Sequence, residues 1–195
     1  FGLIAVAKGE NGYFINLYND GVYSDKSSGV KISVKANLYK KGEAKITVKA
    51  AGETTLLLRI PEWTNGFAVF VNGDKVVFDS VKGYALVKVR DCDKVTVSMP
   101  MKVERKILNG KAEYERGPIV LARDERFGED LGLPVAVPKK AGGAVAKLVK
   151  NTDFYTNETI KIKTRNGEIT LCDYSSAGKN YDSENCNMSV WQNID

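Results

Sequence analysis

Lys31-Ile32-Ser33-Val34-Lys35-Ala36 and Lys45-Ile46-Thr47-Val48-Lys49-Ala50 decide the fold. Both segments alternate polar and apolar residues with a period of two, which on an extended chain sends the aliphatic side chains to one face and the lysines to the other. The same rhythm returns at Val87-Lys88-Val89-Arg90, at Lys94-Val95-Thr96-Val97-Ser98-Met99 and at Thr159-Ile160-Lys161-Ile162-Lys163-Thr164. Each run is rich in β-branched residues, which suit a half-buried pleat. More continuous apolar runs, Thr55-Leu56-Leu57-Leu58-Arg59-Ile60, Phe67-Ala68-Val69-Phe70-Val71 and Pro118-Ile119-Val120-Leu121-Ala122, read as strands nearer the middle of a packed sheet.

Turn chemistry separates these runs. Lys41-Gly42, Asn72-Gly73-Asp74, Lys82-Gly83, Asn109-Gly110 and Asn166-Gly167 offer the positive φ angles that tight hairpins need. Strands spaced by about 8–12 residues predict an all-β chain. The expected architecture is an antiparallel, jelly-roll-like β-sandwich over residues 1–106, followed by a smaller β-sandwich-like unit over 107–195. The stretch from Asp124 to Lys140, with Pro134 and Pro138, has the composition of a connection. Ala141 to Lys150 is the one helix candidate; Gly142-Gly143 at its start argues instead for a loop or weak strand.

Composition sets the outer limits. The 195 residues carry 29 Lys and Arg against 24 Asp and Glu, a formal charge of +5, and are 43% hydrophobic, enough for a folded core. No apolar run approaches the roughly 20 residues of a spanning helix, and the N-terminus lacks a signal-peptide pattern. A soluble chain with no membrane partner is expected, its compartment open and any export signal upstream of Phe1. The absence of histidine removes the commonest general base, the Ser-His pair and most catalytic zinc sites. Cys92, Cys172 and Cys186 form neither a disulfide framework nor a metal knuckle. A Cys172–Cys186 bridge is geometrically feasible, but spacing does not establish it.

Candidate chemistry is sparse. Lys31, Lys35, Lys45, Lys49, Lys161 and Lys163 all fall opposite an apolar face, so they read as the wet side of a sheet; no nucleic-acid partner is expected. Glu113 and Glu115 would share one face of a strand at about 6.6 Å, but Asp91 and Asp93 have the same spacing in an evident turn, so the pattern is cheap. Asp91-Cys92-Asp93 is equally thin as a calcium site. The aromatics Trp63, Tyr84 and Trp191 are the candidate carbohydrate contacts, against the commoner role of such rings in packing. Asn157-Glu158-Thr159 and Asn187-Met188-Ser189 fit the glycosylation pattern, which has meaning only in a secreting eukaryote.

Taken in order, Phe14-Ile15-Asn16-Leu17-Tyr18, Leu56-Leu57-Leu58-Arg59-Ile60-Pro61-Glu62-Trp63, Val71-Asn72-Gly73, Gly83-Tyr84, Met99-Pro100-Met101 and Glu115-Arg116-Gly117-Pro118-Ile119-Val120 resemble the bacterial β-L-arabinofuranosidase family, glycoside hydrolase family 127, formerly a domain of unknown function. Asp173-Tyr174 and Met188-Ser189-Val190-Trp191 resemble its closing phrases. The chain departs from the pattern after Tyr84, where Val87 to Lys94 is shorter than usual and has no Trp, and at Leu121, where the family usually has Tyr.

The resemblance implies a C-terminal β-sandwich region that follows an (α/α)6 catalytic barrel. It places the family's cysteine nucleophile and zinc site in that barrel, ahead of the Asn-Leu-Tyr phrase. No catalytic, metal or cofactor residue therefore carries over to this chain, and Arg59, Pro61, Trp63, Tyr84 and Pro118 read as packing and turn residues. The expectation is a non-catalytic module that braces the upstream barrel and is inactive alone, with a second copy of the chain or a carbohydrate as further partners. A stand-alone carbohydrate-binding module and a surface adhesion or assembly domain are the alternatives.

Overall fold

A computed structural model describes residues 2–136, 145–178 and 187–195, and the chain divides into two units, Phe1–Pro100 and Met101–Asp195. After a helical turn α1 (Gly2–Ala5), the first unit contains β1 (Val6–Gly9), β2 (Gly12–Ile15), β3 (Gly21–Asp25), β4 (Val30–Asn37), a second helical turn α2 (Leu38–Lys41), β5 (Glu43–Lys49), β6 (Thr54–Arg59), β7 (Ala68–Val71), β8 (Asp74–Val76), β9 (Asp79–Val81), β10 (Tyr84–Val89) and β11 (Lys94–Ser98). They form two sheets, ordered β1-β2-β6-β10-β9 and β3-β4-β5-β11-β7-β8.

Alternation becomes burial in β4 and β5. Ile32, Val34, Ile46 and Val48 are almost wholly enclosed, while Lys31, Lys35, Lys45 and Lys49 are exposed. With Leu56 and Leu58 of β6, Ala85, Val87 and Val89 of β10, and Val95 and Val97 of β11, they fill one core shared by both sheets, the two-layer packing of a sandwich. The register sets Lys31 opposite Lys49 and Lys35 opposite Lys45 on the wet face.

Most pairings are antiparallel, as expected. Among the described strands of the first unit one is not: β2 runs parallel to β6, with Tyr13 opposite Leu56 and Ile15 opposite Leu58. The long intervening excursion through β3, β4 and β5 is the crossover that a parallel pair needs.

Three turns close with both central residues at positive φ: Asn72-Gly73 (54° and 99°), Lys82-Gly83 (48° and 81°) and Asn109-Gly110 (50° and 71°). Such backbones match the strands' twist. Lys41-Gly42 behaves differently, because α2 intervenes and Gly42, at φ 62°, caps it by donating its N–H to Leu38 O at 2.9 Å. A Cβ on Gly42 would lie 2.4 Å from Met99 O, so the approach of the Met99 segment also requires glycine.

The second unit contains β12 (Val103–Leu108), β13 (Lys111–Arg116), β14 (Ile119–Asp124), a 3-10 turn at Glu125–Phe127, β15 (Ala146–Val149), β16 (Thr159–Thr164), β17 (Gly167–Asp173), β18 (Met188–Ser189) and β19 (Gln192–Asn193). Its sheet runs β12-β13-β14-β17-β16-β15, with β18 beside β14 and β19 beside β13. Within the helix candidate Ala141 to Lys150, the described part is strand: β15 pairs with β16. Its first residues, 141–144, and the last four of the Asp124–Lys140 connection lie outside the described residues. Val103, Tyr114, Leu121, Ile160, Ile162 and Leu171 form the main core. No helix among the described residues is long and apolar enough to cross a membrane.

Candidate functional site

Three of the quoted phrases of the first unit, those around Asn16, Arg59 and Tyr84, meet in space. The Tyr84 hydroxyl donates to Asn16 Oδ1 at 2.7 Å, and its ring stands edge-on to Phe14 with centroids 5.2 Å apart. Asn16 in turn donates its amide to Ile4 O at 2.8 Å. The buried Tyr18 hydroxyl donates to Arg59 O at 2.6 Å, and desolvation drives its pKa upward. Trp63, half-buried, packs against the shared core. Asn72, in the β7–β8 turn, ties it to the neighbouring β10–β11 turn by donating to Asp93 Oδ1 at 2.7 Å and accepting from Lys94 N at 2.9 Å. These contacts engage the polar side-chain atoms of Asn16, Tyr18, Asn72 and Tyr84 within the fold itself.

Charge is buried in the second unit. By the period of two, Arg116 shares the inward row of Ala112 and Tyr114 on β13, and Glu158 extends the inward row of Ile160 and Ile162 on β16. Their side chains are 9% and 1% exposed, and Arg116 Nη1 donates to Glu158 Oε2 at 2.6 Å. Glu158 Oε1 is buried with no hydrogen-bond partner among the described residues. Burial pushes the Glu158 carboxyl up to about 7 despite Arg116, with the nearby Asp173 adding to the rise.

A cavity of about 340 Å³ adjoins Arg116 of this pair, lined by Met101, Lys102, Val103, Arg116, Ala146, Leu148 and Ile160. Met101 and Lys102 lead into β12, and the others come from the β12–β13 and β15–β16 hairpins, which lie at opposite ends of the hydrogen-bond order. Both ends border one space because the sheet curls. In the sequence Arg116 stands out only as part of a family phrase and Glu158 only as the middle of a glycosylation pattern, 42 positions away. A signal existed: running the Ile160-Ile162 alternation back one step puts a carboxylate on the apolar face, where it needs a cation.

Two further carboxylates organise the chain behind the pair. Asp173 accepts from Asn157 N at 2.9 Å, Glu158 N at 3.1 Å, Ser175 Oγ at 2.6 Å and Ser176 Oγ at 2.9 Å. Asp124 accepts from Arg126 Nη2 at 2.5 Å and Gly178 N at 2.9 Å, and the Arg126 guanidinium lies 4.1 Å from the centre of the Phe154 ring. Burial alone would raise both carboxyls, but the donors outweigh it and hold them below the usual range. The same network takes up the Asn157 side chain of the first glycosylation pattern, which donates to Asp173 Oδ2 at 2.9 Å.

The remaining candidates are dispersed. Glu113 is buried, and desolvation and the neighbouring Glu115 raise its pKa, but Glu115 is tied to Lys106 at 2.6 Å. Asp91 and Asp93 accept backbone N–H groups from Ala50 and Arg90, so their oxygens hold a turn. Among the described residues no three His, Cys, Asp or Glu side chains converge as a metal site. Cys172 is buried, its thiol pushed up to about 12; Cys92 is exposed; Cys186, and with it the Cys172–Cys186 bridge, lies outside the described residues. Trp191 sits between β18 and β19, 38% exposed.

No curated protein matches the chain. Residues 12–101 match the family model of the GH127 β-L-arabinofuranosidase middle domain. The C-terminal placement expected for the chain is therefore corrected over these residues to a middle domain. Among solved structures, a GH127 β-L-arabinofuranosidase from Geobacillus stearothermophilus T6 is 24% identical with a TM-score of 0.77, over 100% of this chain and 35% of that one. A second GH127 β-arabinofuranosidase is 19% identical with a TM-score of 0.76, over 98% and 36%. A glycoside hydrolase is 20% identical with a TM-score of 0.75, over 97% and 37%. The chain thus has the fold of a stretch that makes up about a third of each of these proteins, and its residues 12–101 match the middle domain of the family its phrases resemble.

Proposed function

We propose that this chain is a non-catalytic β-sandwich module of a bacterial GH127-type, β-L-arabinofuranosidase-like glycoside hydrolase, and that it braces an (α/α)6 catalytic barrel of the same protein. The observation that carries this reading is the match of 100% of the chain to 35% of an arabinofuranosidase, together with the middle-domain match over residues 12–101. The packing of the motif residues against one another supports it, because side chains engaged in holding a fold are poorly placed to turn over substrate. Bracing asks for a rigid body, and a dry core shared by two sheets supplies one. The surface that receives the barrel, or a second copy of the chain, belongs to the same proposal.

The test is an assay of the purified chain with 4-nitrophenyl β-L-arabinofuranoside. Hydrolysis at the uncatalysed rate is expected; robust nitrophenol release overturns the reading. The carbohydrate-binding alternative draws on one observation, the partly exposed Trp191 ring. It requires retention of the chain on an insoluble polysaccharide and loss of that retention in Trp191→Ala, since ring stacking is the contact such a module would use.

A further inference from the structure

We propose that the cavity between the two outer hairpins of the second unit binds a small organic carboxylate, which the Arg116 guanidinium accepts as Glu158 takes up a proton and releases it. The proposal is independent of the bracing role, and its test uses the chain alone.

Three features of the site point this way. The cavity is lined by one planar cation, the buried Arg116, and a guanidinium is matched to carboxylate geometry. Its other lining is Lys102, an exposed second cation, and the hydrocarbon of Met101, Val103, Ala146, Leu148 and Ile160, which suits the uncharged remainder of a short acid. The internal anion that now neutralises Arg116 is poorly housed. Its Oε2 takes the 2.6 Å contact, while its Oε1 is buried with no partner among the described residues. A buried acceptor without a donor is costly, so this carboxylate is easily persuaded to become a neutral acid.

The exchange balances. Before it, the buried pair is Arg116 cation and Glu158 anion. One solvent proton then adds to Glu158, the ligand carboxylate replaces the Glu158 carboxylate on Arg116, and the site remains neutral. The new acid O–H has an acceptor in the ligand oxygen.

The groups facing Glu158 leave it as the one that titrates near neutrality. Arg116 on β13 is permanently charged. Asp173 on β17 accepts from Glu158 N at 3.1 Å and is held below the ordinary carboxylate range; Cys172 on the same strand is pushed up to about 12. Lys161 on β16 lies on the opposite, exposed face. Glu158 itself is raised to about 7.

Calorimetric titration of the whole chain with sodium butyrate and, separately, sodium galacturonate tests the proposal. Each titration is run at about pH 6 and about pH 8, in two buffers of different ionisation enthalpy. If the ligand requires a protonated Glu158, binding is about tenfold tighter at the lower pH, with about one proton taken up per ligand at the higher. Glu158→Gln, a permanently neutral isostere, then binds with no pH dependence. Lys102→Met, a surface change that leaves the pair intact, weakens binding severalfold. Butyrate binding alone assigns an aliphatic acid, and galacturonate binding alone a sugar acid; either outcome supports the site. Failure of both ligands to saturate the wild-type chain at pH 6, or equal affinity at the two pH values, overturns it even if Glu158→Gln does not fold.

Discussion

In the first unit the inward positions of β4, β5, β6 and β11 are hydrocarbon, whereas in the second an arginine and a glutamate occupy inward rows beside Tyr114 and Ile160. Among the described residues, every charged side chain that is buried lies in the second unit: Glu113, Arg116, Arg123, Asp124, Glu158 and Asp173. The first unit draws its cohesion from apolar area, which is insensitive to protons and salt bridging. The second adds a hydrogen-bonded interior, in which each group depends on its partners and on pH. The same period-two strands serve both.

Removing a buried anion tests the contrast most severely. Asp124→Ala removes the carboxylate that faces Arg126 and the acceptor of the Gly178 N–H, and a loss of about 3–5 kcal/mol is expected in urea unfolding at neutral pH. A loss below about 1 kcal/mol would show that the network is decorative. Leu58→Ala, at a fully enclosed position in the first unit, should cost about 3 kcal/mol by leaving a cavity. Its cost should be the same at pH 5 and pH 8; a strong pH dependence would erase the distinction between the units.

The carboxylates of the second unit are expected to pull stability in opposite directions with pH. Asp124 and Asp173, held low, contribute stability that is present above the ordinary carboxylate pKa and is lost as pH falls through their depressed values. Glu158, raised from 4.5 to about 7, binds its proton more tightly folded than unfolded. What that supplies is fully present below 4.5 and fades as pH rises through 7. Glu158→Gln should therefore remove a decline on the order of 1–3 kcal/mol between those limits, read from urea midpoints across the range. The smallest effect expected is in the first unit: Tyr84→Phe deletes the bond to Asn16 while keeping the ring on Phe14, at a cost of about 1 kcal/mol.

Particular residues show what could be read in advance. Ile32, Val34, Ile46 and Val48 face inward as their alternation predicts, and Asn72-Gly73 and Asn109-Gly110 turn as their chemistry predicts, because both signals are local. The parallel pairing of β2 with β6 was not legible, since strand direction is settled by the route of the intervening chain. Of the aromatic candidates, Tyr84 carried an interpretable phrase, yet its tie to Asn16 spans 68 positions. The Arg116–Glu158 contact was invisible for the same reason; a lone inward charge announces that a partner exists, not where it lies.

The register of β4 against β5 sets Lys31 facing Lys49 and Lys35 facing Lys45, two rungs of like charge on an open surface. In dilute buffer such a ladder repels a second copy of the chain that would stack the same face on that sheet. Added electrolyte quiets it, so self-association of the first unit through this face should begin only as ionic strength climbs.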